Sequence, residues 1–467
     1  MGSRPDKPAA VEKWRKKNRY YYAYISRILK FNVAGQASVL DLSCTNGSVL
    51  NDLNPAYGLG IDKDEDLIAA ATARYGRENL QFKCLDIEKD TWPQTEKFDY
   101  IILNSTLNRI GDIQKLLEKL WAYCSPHTRL VIIQYNPLWE IVLKLAEKAR
   151  LKMPEDLNHW LSIDDIDNFL AITNYQPISR NFFLLLPINI PLLSWVVNRF
   201  IAKLPFIRRL DLIQIITARP IMEPDRIDDQ TASVVITCRD ERDNIEPLIQ
   251  RIPQVARHTE IIFVEGHSVD GTREEIQKMI KRYPDKDIVL LIQDGIGQGD
   301  AFRKGFDSAK GDFVMWLEGD LTTAPEEIEK FWEIYRKGLG EYLNGSRLIY
   351  RLKKDTMPLV NLIGNRAFGN MFTILLGQRF SDTLCGLKAL SKRNYLKVRK
   401  TFAEFGNFDP FGDFELIFGV VKNNLKVVEV PVTYRPREYG KTKTHPFKHG
   451  YVLLKMFWLA LRQFKLW

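Results

Sequence analysis

Six carboxylates set the chemistry of the rear half of this chain. Asp240 and Glu241 follow the apolar run 234–237, Glu265 and Asp270 follow 261–264, and Glu318 and Asp320 close the run 313–317. In each case a strand-forming stretch ends in acidic or small residues. Ligands of open α/β sheets bind at those carboxyl ends, so the six side chains are expected to converge on one crevice. Glu318 and Asp320, separated only by Gly319, have the form of a hard-cation site. Mg2+ or Mn2+ held by one or two carboxylates takes its other ligands from phosphates and water. Such an ion neutralises the charge that develops on a departing nucleoside diphosphate. The carboxylates of the first two strand ends are suited to accept hydrogen bonds from ribose or base. Any one of these segments also reads as an acidic turn capping a helix; three in this order and spacing favour a shared site.

The elements that must position these residues follow from periodicity. Short apolar runs at 233–237, 261–264, 288–292 and 313–317 are predicted strands of a parallel α/β sheet. An earlier series has strands at 39–42, 57–61, 80–82, 100–103 and 130–134, with helices over 65–75 and 113–123. That alternation implies a doubly wound sheet. A helical and apolar segment is expected from there to about Leu212. Residues 219–230 hold Pro220, Pro224 and four acidic residues, a composition that suits a domain boundary. The expected organisation is a basic, aromatic N-terminal helix (1–30), a Rossmann-like domain (31–217), a linker (218–231), a second α/β domain (232–447) and an amphipathic helix (448–467). Two domains agree with a length of 467 residues, too long for one core.

The rear half, over about 232–447, resembles family 2 glycosyltransferases, nearest to the polyprenyl-phosphate branch that includes dolichol-phosphate mannose synthase. The matching segments are 239–244, 265–272, Gly297 to Ala301 with Lys304 and Gly305, 318–325, 345–347, 382–388, 412–415 and 437–443. The family's paired aspartates are replaced in part by Glu265, Gly266 and Glu318, and one asparagine by Asp240. The resemblance implies a GT-A nucleotide-sugar fold and inverting, metal-dependent transfer. It implies Mg2+ or Mn2+ on Glu318 and Asp320, and a nucleotide-sugar donor bound by Asp240, Glu241, Glu265, Asp270, Arg437 and Lys443. It implies the acceptor's phosphate on Arg347. The Glu318 and Glu265 replacements keep the charge; those at Asp240 and Gly266 leave the base open, so UDP-, GDP- and other donors stand. A hydroxyl acceptor needs a general base, for which Asp413 is the candidate; a phosphate acceptor needs none, and Asp413 or Asp382 then orients or binds.

In the front half, residues 39–47 close a strand and open a helix, a turn of the kind that lets backbone approach a cofactor. Asp62 ends the next strand, where an acid bonds ribose hydroxyls. Asp86 follows the third strand and Asn104 ends the fourth. Over about 20–145 this resembles class I S-adenosylmethionine-dependent methyltransferases, whose first motif is an acid followed by alternating glycines. Asp41 is that acid, Ser43 and Thr45 replace two glycines, and Gly47 remains. The resemblance implies S-adenosylmethionine held by Asp41, Ser43, Thr45, Gly47, Asp62, Asp86 and Asn104. A nicotinamide site is disfavoured because the G-x-G-x-x-G spacing is missing. The other reading of this half is an inactive module that scaffolds the transferase.

Net charge is +9, which fits anionic partners; no nucleic-acid motif accompanies it, so no nucleic-acid partner is expected. Five scattered cysteines argue against a disulfide framework and for a reducing cytosol. Residues 1–10 lack the apolar core of a secretory signal. The stretch 182–197 is interrupted by Pro187, Asn189 and Pro191 and reads as buried or interfacial. Residues 450–467 place Lys455, Arg462 and Lys465 on one helical arc and Leu453, Phe457, Ala460, Leu461 and Phe464 opposite, the pattern of an interfacial helix. A second apolar stretch, 368–376, is flanked by Arg366 and Arg379. The expectation is a bifunctional enzyme, peripheral on the cytoplasmic face of a membrane, acting on a lipid-phosphate acceptor.

Overall fold

The computed structural model describes residues 7–90, 92, 96–155, 159–352, 356–405, 412–437, 439 and 446–465. It divides into two compact units, with the boundary between Met222 and Glu223.

The first unit opens with α1 (Lys7–Lys17) and α2 (Arg19–Asn32). It continues β1 (Ser38–Leu42), α3 (Ser48–Leu53), β2 (Tyr57–Asp62), α4 (Glu65–Tyr75), β3 (Leu80–Cys84), β4 (Tyr100–Asn104) and α5 (Ile113–Leu120). It ends β5 (Arg129–Tyr135), α6 (Glu140–Lys148), α7 (Ile163–Ile172), β6 (Tyr175–Phe183), α8 (Leu193–Arg199) and β7 (Ile213–Pro220). The strand order is β3-β2-β1-β4-β5-β7-β6. β1 to β5 are parallel, and β7 is antiparallel to both its neighbours. β5 is buried at every position, as a central strand covered on both faces must be. α5 buries Ile113, Leu116, Leu117 and Leu120, one helical stripe, and Asp112 caps it by accepting from the Lys115 N–H. That stripe joins Ile101, Leu103, Leu130 and Ile132 in one core.

The second unit runs β8 (Ala232–Cys238), α9 (Ile245–Arg251), β9 (Thr259–Glu265), α10 (Thr272–Arg282), β10 (Ile288–Ile292), α11 (Gln298–Ser308) and β11 (Phe313–Glu318). After these come α12 (Ile328–Arg336), β12 (Tyr342–Ser346), α13 (Leu359–Leu376), β13 (Lys388–Ser391), α14 (Lys392–Arg399), α15 (Phe402–Phe405), α16 (Asp413–Lys422), β14 (Val427–Pro431) and α17 (Pro446–Phe464). The strand order is β10-β9-β8-β11-β13-β12-β14. Phe263, Met315, Ile328, Phe331 and Leu387 share its main core. α11 lies close on β8: a Cβ added to Gly305 would stand 2.2 Å from Val235 Cγ1. That approach holds the start of α11 over the sheet.

Both units are α/β, but several expectations need correction. The rear sheet is mixed, because β13 runs antiparallel to β11 and β12. In the front unit, the stretch expected to be helical up to Leu212 contains β6. Arg219 and Pro220 close β7 instead of opening the linker, and Arg219 is buried with its guanidinium on Gln176. The N-terminal helix is two helices. In α17, Leu453, Met456, Ala460 and Phe464 are buried, and Phe464 stacks on Phe405. Much of the apolar arc expected to meet a membrane therefore packs on the unit's own core.

Candidate active sites

The order of the rear sheet reverses between β8 and β11, which opens a crevice at their carboxyl ends. Register places Thr237 beside Glu318 and Cys238 beside Glu265. The loops after β8 and β9 are stitched together. The Val269 N–H donates to Asp240 Oδ1 at 2.9 Å, the Asp240 N–H to Ser268 Oγ at 2.9 Å, and the Glu241 N–H to Thr272 Oγ1 at 2.9 Å. Asp270 accepts from the N–H groups of Arg242 and Thr272 and from the Tyr439 hydroxyl. Glu265 is buried and accepts from the Ser268 N–H and the Arg273 guanidinium. Burial acts to raise its pKa, but these hydrogen bonds overcome it and hold the group below its ordinary value.

Two carboxylates share one cation, and a third lies beside them. Arg437 donates to Glu241 Oε1 at 2.8 Å and to Asp320 Oδ2 at 2.5 Å. The other oxygen of Asp320 accepts from the Thr322 N–H and hydroxyl, and Asn244 donates to Glu241 Oε2 at 2.7 Å. Glu318 accepts from Gln298 Nε2 at 2.6 Å. Burial pushes Glu241 up to about 7 against the pull of Arg437, and the Asp320 charge adds to it. Burial and the same Asp320 charge push Glu318 up to about 7. Two carboxyls that hold protons near neutrality beside a third are a set that a dication relieves. Among the described residues no three acidic, His or Cys side chains form a ready-made metal cage. A cation that takes two carboxylates and completes its shell from a diphosphate needs no such cage. Glu318 and Asp320 fit Mg2+ or Mn2+ on that basis, with Arg437 as the cation that occupies Asp320 in its place.

The remaining acids pair elsewhere. Asp382 is fully buried and accepts from Arg347 Nε at 2.7 Å and Nη2 at 2.9 Å. Burial opposes its ionisation, and Arg347 overcomes that to hold it below the usual range. Asp413 lies 2.8 Å from the ammonium of Lys388, itself fully buried on β13. Lys443 lies outside the described residues.

The front sheet has the same topology at its own reversal, between β1 and β4. The turn after β1 keeps a glycine-type backbone without the glycines: φ is 63° at Ser43, 50° at Thr45 and 72° at Gly47. Left-handed non-glycine residues cost on the order of 1–3 kcal/mol each, and such strain clusters at ligand sites. A Cβ on Gly47 would meet the Phe82 ring at 2.6 Å. Asp62 accepts from the Thr45 N–H at 2.9 Å and the Asp64 N–H at 3.1 Å, which fixes both turns to one carboxylate. Asp41 is buried; burial and the Asp62 charge push it up to about 8. Asp86 accepts from the Glu88 N–H at 3.0 Å, and Asn104 ends β4 half-buried. Ordered acids, a retained turn and small side chains fit S-adenosylmethionine, whose ribose and amino-acid ends need those partners.

Residues 233–397 match the family model described as Glycosyl transferase family 2, and residues 35–174 match one described as Methyltransferase domain. The chain joins a methyltransferase-fold domain to a family 2 glycosyltransferase domain. Among curated relatives, Glycosyltransferase AglJ of Haloferax volcanii is 28% identical over 195 residues, covering 41% of this chain and 60% of that protein. Dolichol-phosphate mannosyltransferase of Pyrococcus furiosus is 29% identical over 214 residues, covering 45% of this chain and 58% of that protein. The chain thus spans under two thirds of the length of both. A solved S-adenosylmethionine dependent methyltransferase from Mesorhizobium loti aligns at 18% identity with a TM-score of 0.32, covering 41% of this chain and 96% of that one.

Within the glycosyltransferase domain, sequence reasoning did not assign Gln298, Asn244, Arg273 or Lys388 a role, yet each holds one of the carboxylates. Asn244, Gln298 and Lys388 stood inside recognised segments; only the fold shows which acid each one meets. In the methyltransferase domain, the left-handed Ser43 and Thr45 carry the signal that composition hid.

Proposed function

We propose that the glycosyltransferase domain moves a sugar, with inversion, from a nucleotide-sugar donor to a polyprenyl-phosphate-like acceptor, and that the methyltransferase domain binds S-adenosylmethionine. The observation that carries the first part is the pairing of Glu241 and Asp320 on Arg437, with Glu318 close enough to Asp320 to be raised by its charge, at the sheet's reversal point. Mg2+ or Mn2+ on Glu318 and Asp320 supplies charge neutralisation for the departing diphosphate. Asp240, Glu241, Glu265 and Asp270 order the two loops that enclose the nucleoside. Arg437, displaced from Asp320 by the ion, turns to the phosphates. Arg347, aligned by Asp382, presents a cation to the acceptor's phosphate. Asp413, paired with Lys388, has an orienting role in this reading. A phosphate acceptor, already anionic, needs no base. The first curated relatives include a dolichol-phosphate mannosyltransferase, which agrees with that acceptor class. A panel of nucleotide-sugars with detergent-solubilised polyprenyl phosphate, with and without Mn2+, tests the reading. No transfer from any donor in the panel overturns it.

For the methyltransferase domain, the strained Ser43–Thr45 turn supports cofactor binding, and S-adenosylmethionine, once bound, supplies an electrophilic methyl group. The second reading is that this domain only scaffolds its neighbour, and the Cβ atoms of Ser43 and Thr45, where the motif has bare backbone, favour it. Calorimetric titration separates the two, since a scaffold gives no saturable heat. No helix among the described residues is long and apolar enough to cross a membrane. Membrane contact on the cytoplasmic face is proposed through the outer sides of α13 and α17, where Leu359, Val360, Ile363, Leu454 and Trp458 are exposed.

A further inference from the structure

The methyltransferase unit exposes an apolar face that neither proposed activity uses. Between β6 and β7 the chain makes an excursion, residues 184–212, that contains α8. Along it Leu192 is 74% exposed, Trp195 53%, Leu204 51% and Phe206 91%. Beside it, Leu138, Ile141, Val142 and Leu145 recur at helical spacing into and along α6, and all four face solvent. A stripe of that spacing ordinarily faces the core; here Leu143, on the other side of α6, is the buried one. The two parts form one surface. Trp139 Nε1 donates to the Leu210 carbonyl at 2.7 Å, and the Asn136 amide donates to the carbonyls of Arg209 and Asp211.

The charge on this surface is predominantly basic. The excursion carries Arg199, Arg208 and Arg209; its Lys203 ammonium and Asp211 are buried together and drop out of the rim. The acids of α6, Glu140 and Glu147, are paired with Lys144 and Lys152. The Arg199 guanidinium lies 5.7 Å from the Trp195 ring centre, an aromatic beside a cation as at a headgroup boundary. Apolar tips rimmed by cations match an anionic bilayer. An uncharged protein groove would offer the tips a partner but leave the basic rim without one.

We infer that the methyltransferase unit docks by this face, independently of α13 and α17, on a membrane surface rich in anionic lipid. Its placement gives the docking a use. β5 and β6 both run antiparallel to β7, so β6 ends at the same edge of the sheet as β1 and β4. The excursion therefore leaves the sheet on the side of the Ser43–Gly47 turn. A methyl acceptor carried on a lipid reaches that edge without leaving the bilayer; this last point rests on the cofactor reading above, and the docking does not.

The test uses the full chain with Cys84→Ser, since Cys84 is the exposed cysteine, and Phe206→Cys labelled with an environment-sensitive fluorophore. Phosphatidylcholine vesicles with phosphatidylglycerol are expected to blue-shift the label and to let acyl-brominated lipids quench it. Vesicles of phosphatidylcholine alone, or added salt, should weaken the response. Leu192→Glu with Phe206→Glu, both at solvent-facing positions, should weaken vesicle binding roughly tenfold or more. The inference is overturned if the label stays in water while the chain floats with vesicles, which assigns contact to α13 and α17. It is overturned equally by absence of flotation, or by a label that becomes buried with rising protein concentration and no lipid, which makes the occupant a second copy. Titration with S-adenosylmethionine in the same variants keeps failure of the cofactor reading distinct.

Discussion

Metal binding at the Glu318–Asp320 pair should release protons near neutral pH. In the folded chain Glu318 and Glu241 both titrate at about 7, against an ordinary value of 4.5. The sign follows from which state holds the proton. Between about pH 4.5 and about pH 7 the folded chain keeps protons that the unfolded chain has lost, so metal-free stability falls as pH rises through that window. A dication needs the ionised form, so it expels whatever proton remains. At pH 7 each group is about half protonated, so release lies between about half a proton, if Glu318 alone responds, and about one, if Glu241 follows through Asp320. The same arithmetic makes Mn2+ affinity fall on going from about pH 8 to about pH 6, by about tenfold for one group and about a hundredfold for both. Isothermal titration of Mn2+ in buffers of different ionisation enthalpy measures the release directly. Equal heats in all buffers, with one affinity across that range, would refute the argument that these carboxyls are neutral before the metal arrives.

Other outcomes follow from the same contacts. Arg437→Gln removes the cation shared by Glu241 and Asp320; metal-free stability should drop by roughly 1–3 kcal/mol, the lower range for a half-buried pair, and Mn2+ affinity without donor, read by electron paramagnetic resonance, should rise. An unchanged melting point and unchanged affinity would remove Arg437 from the site. In Gly386→Ala the new Cβ stands 2.3 Å from Glu318 Cδ, so Mn2+ binding should fall by about tenfold or more while the fold persists; Gly364→Ala, with open space around it, is the control that should leave Mn2+ binding unchanged. Asp41, held at about 8 by burial and Asp62, keeps its proton between about pH 4 and about pH 8, and over that range it makes the first unit less stable as pH rises. Asp41→Asn should flatten that slope in urea titrations, and a slope identical to that of the parent chain would show that Asp41 is ionised.

What sequence could disclose was set by how local each signal is. The parallel strands of both sheets were legible because β1, β5, β8 and β11 each hold a run of apolar residues, and acids follow β8 and close β11. β6 and β13 carried no such mark. β6 holds Pro177 at a register shift and exposes Arg180, and β13 begins with a fully buried lysine. Lys388 is tolerable there only because Asp413 and the carbonyl of Cys385 receive its charge, and Asp413 lies on a different element. The same distance explains the rear site's other surprise. Arg347 and Asp382, each read on its own in the sequence, are 35 residues apart and pair with one another. An isolated buried charge costs several kcal/mol, so a lone acid or base in an apolar stretch announces that a partner exists and is silent on whether that partner is substrate or protein. In this chain the acids at strand ends met a cation from a distant loop and an amide from α11. It is the shared, half-neutralised state of Glu241 and Glu318 on Asp320, invisible in any one segment, that makes the crevice a place where a metal and a diphosphate have something to displace.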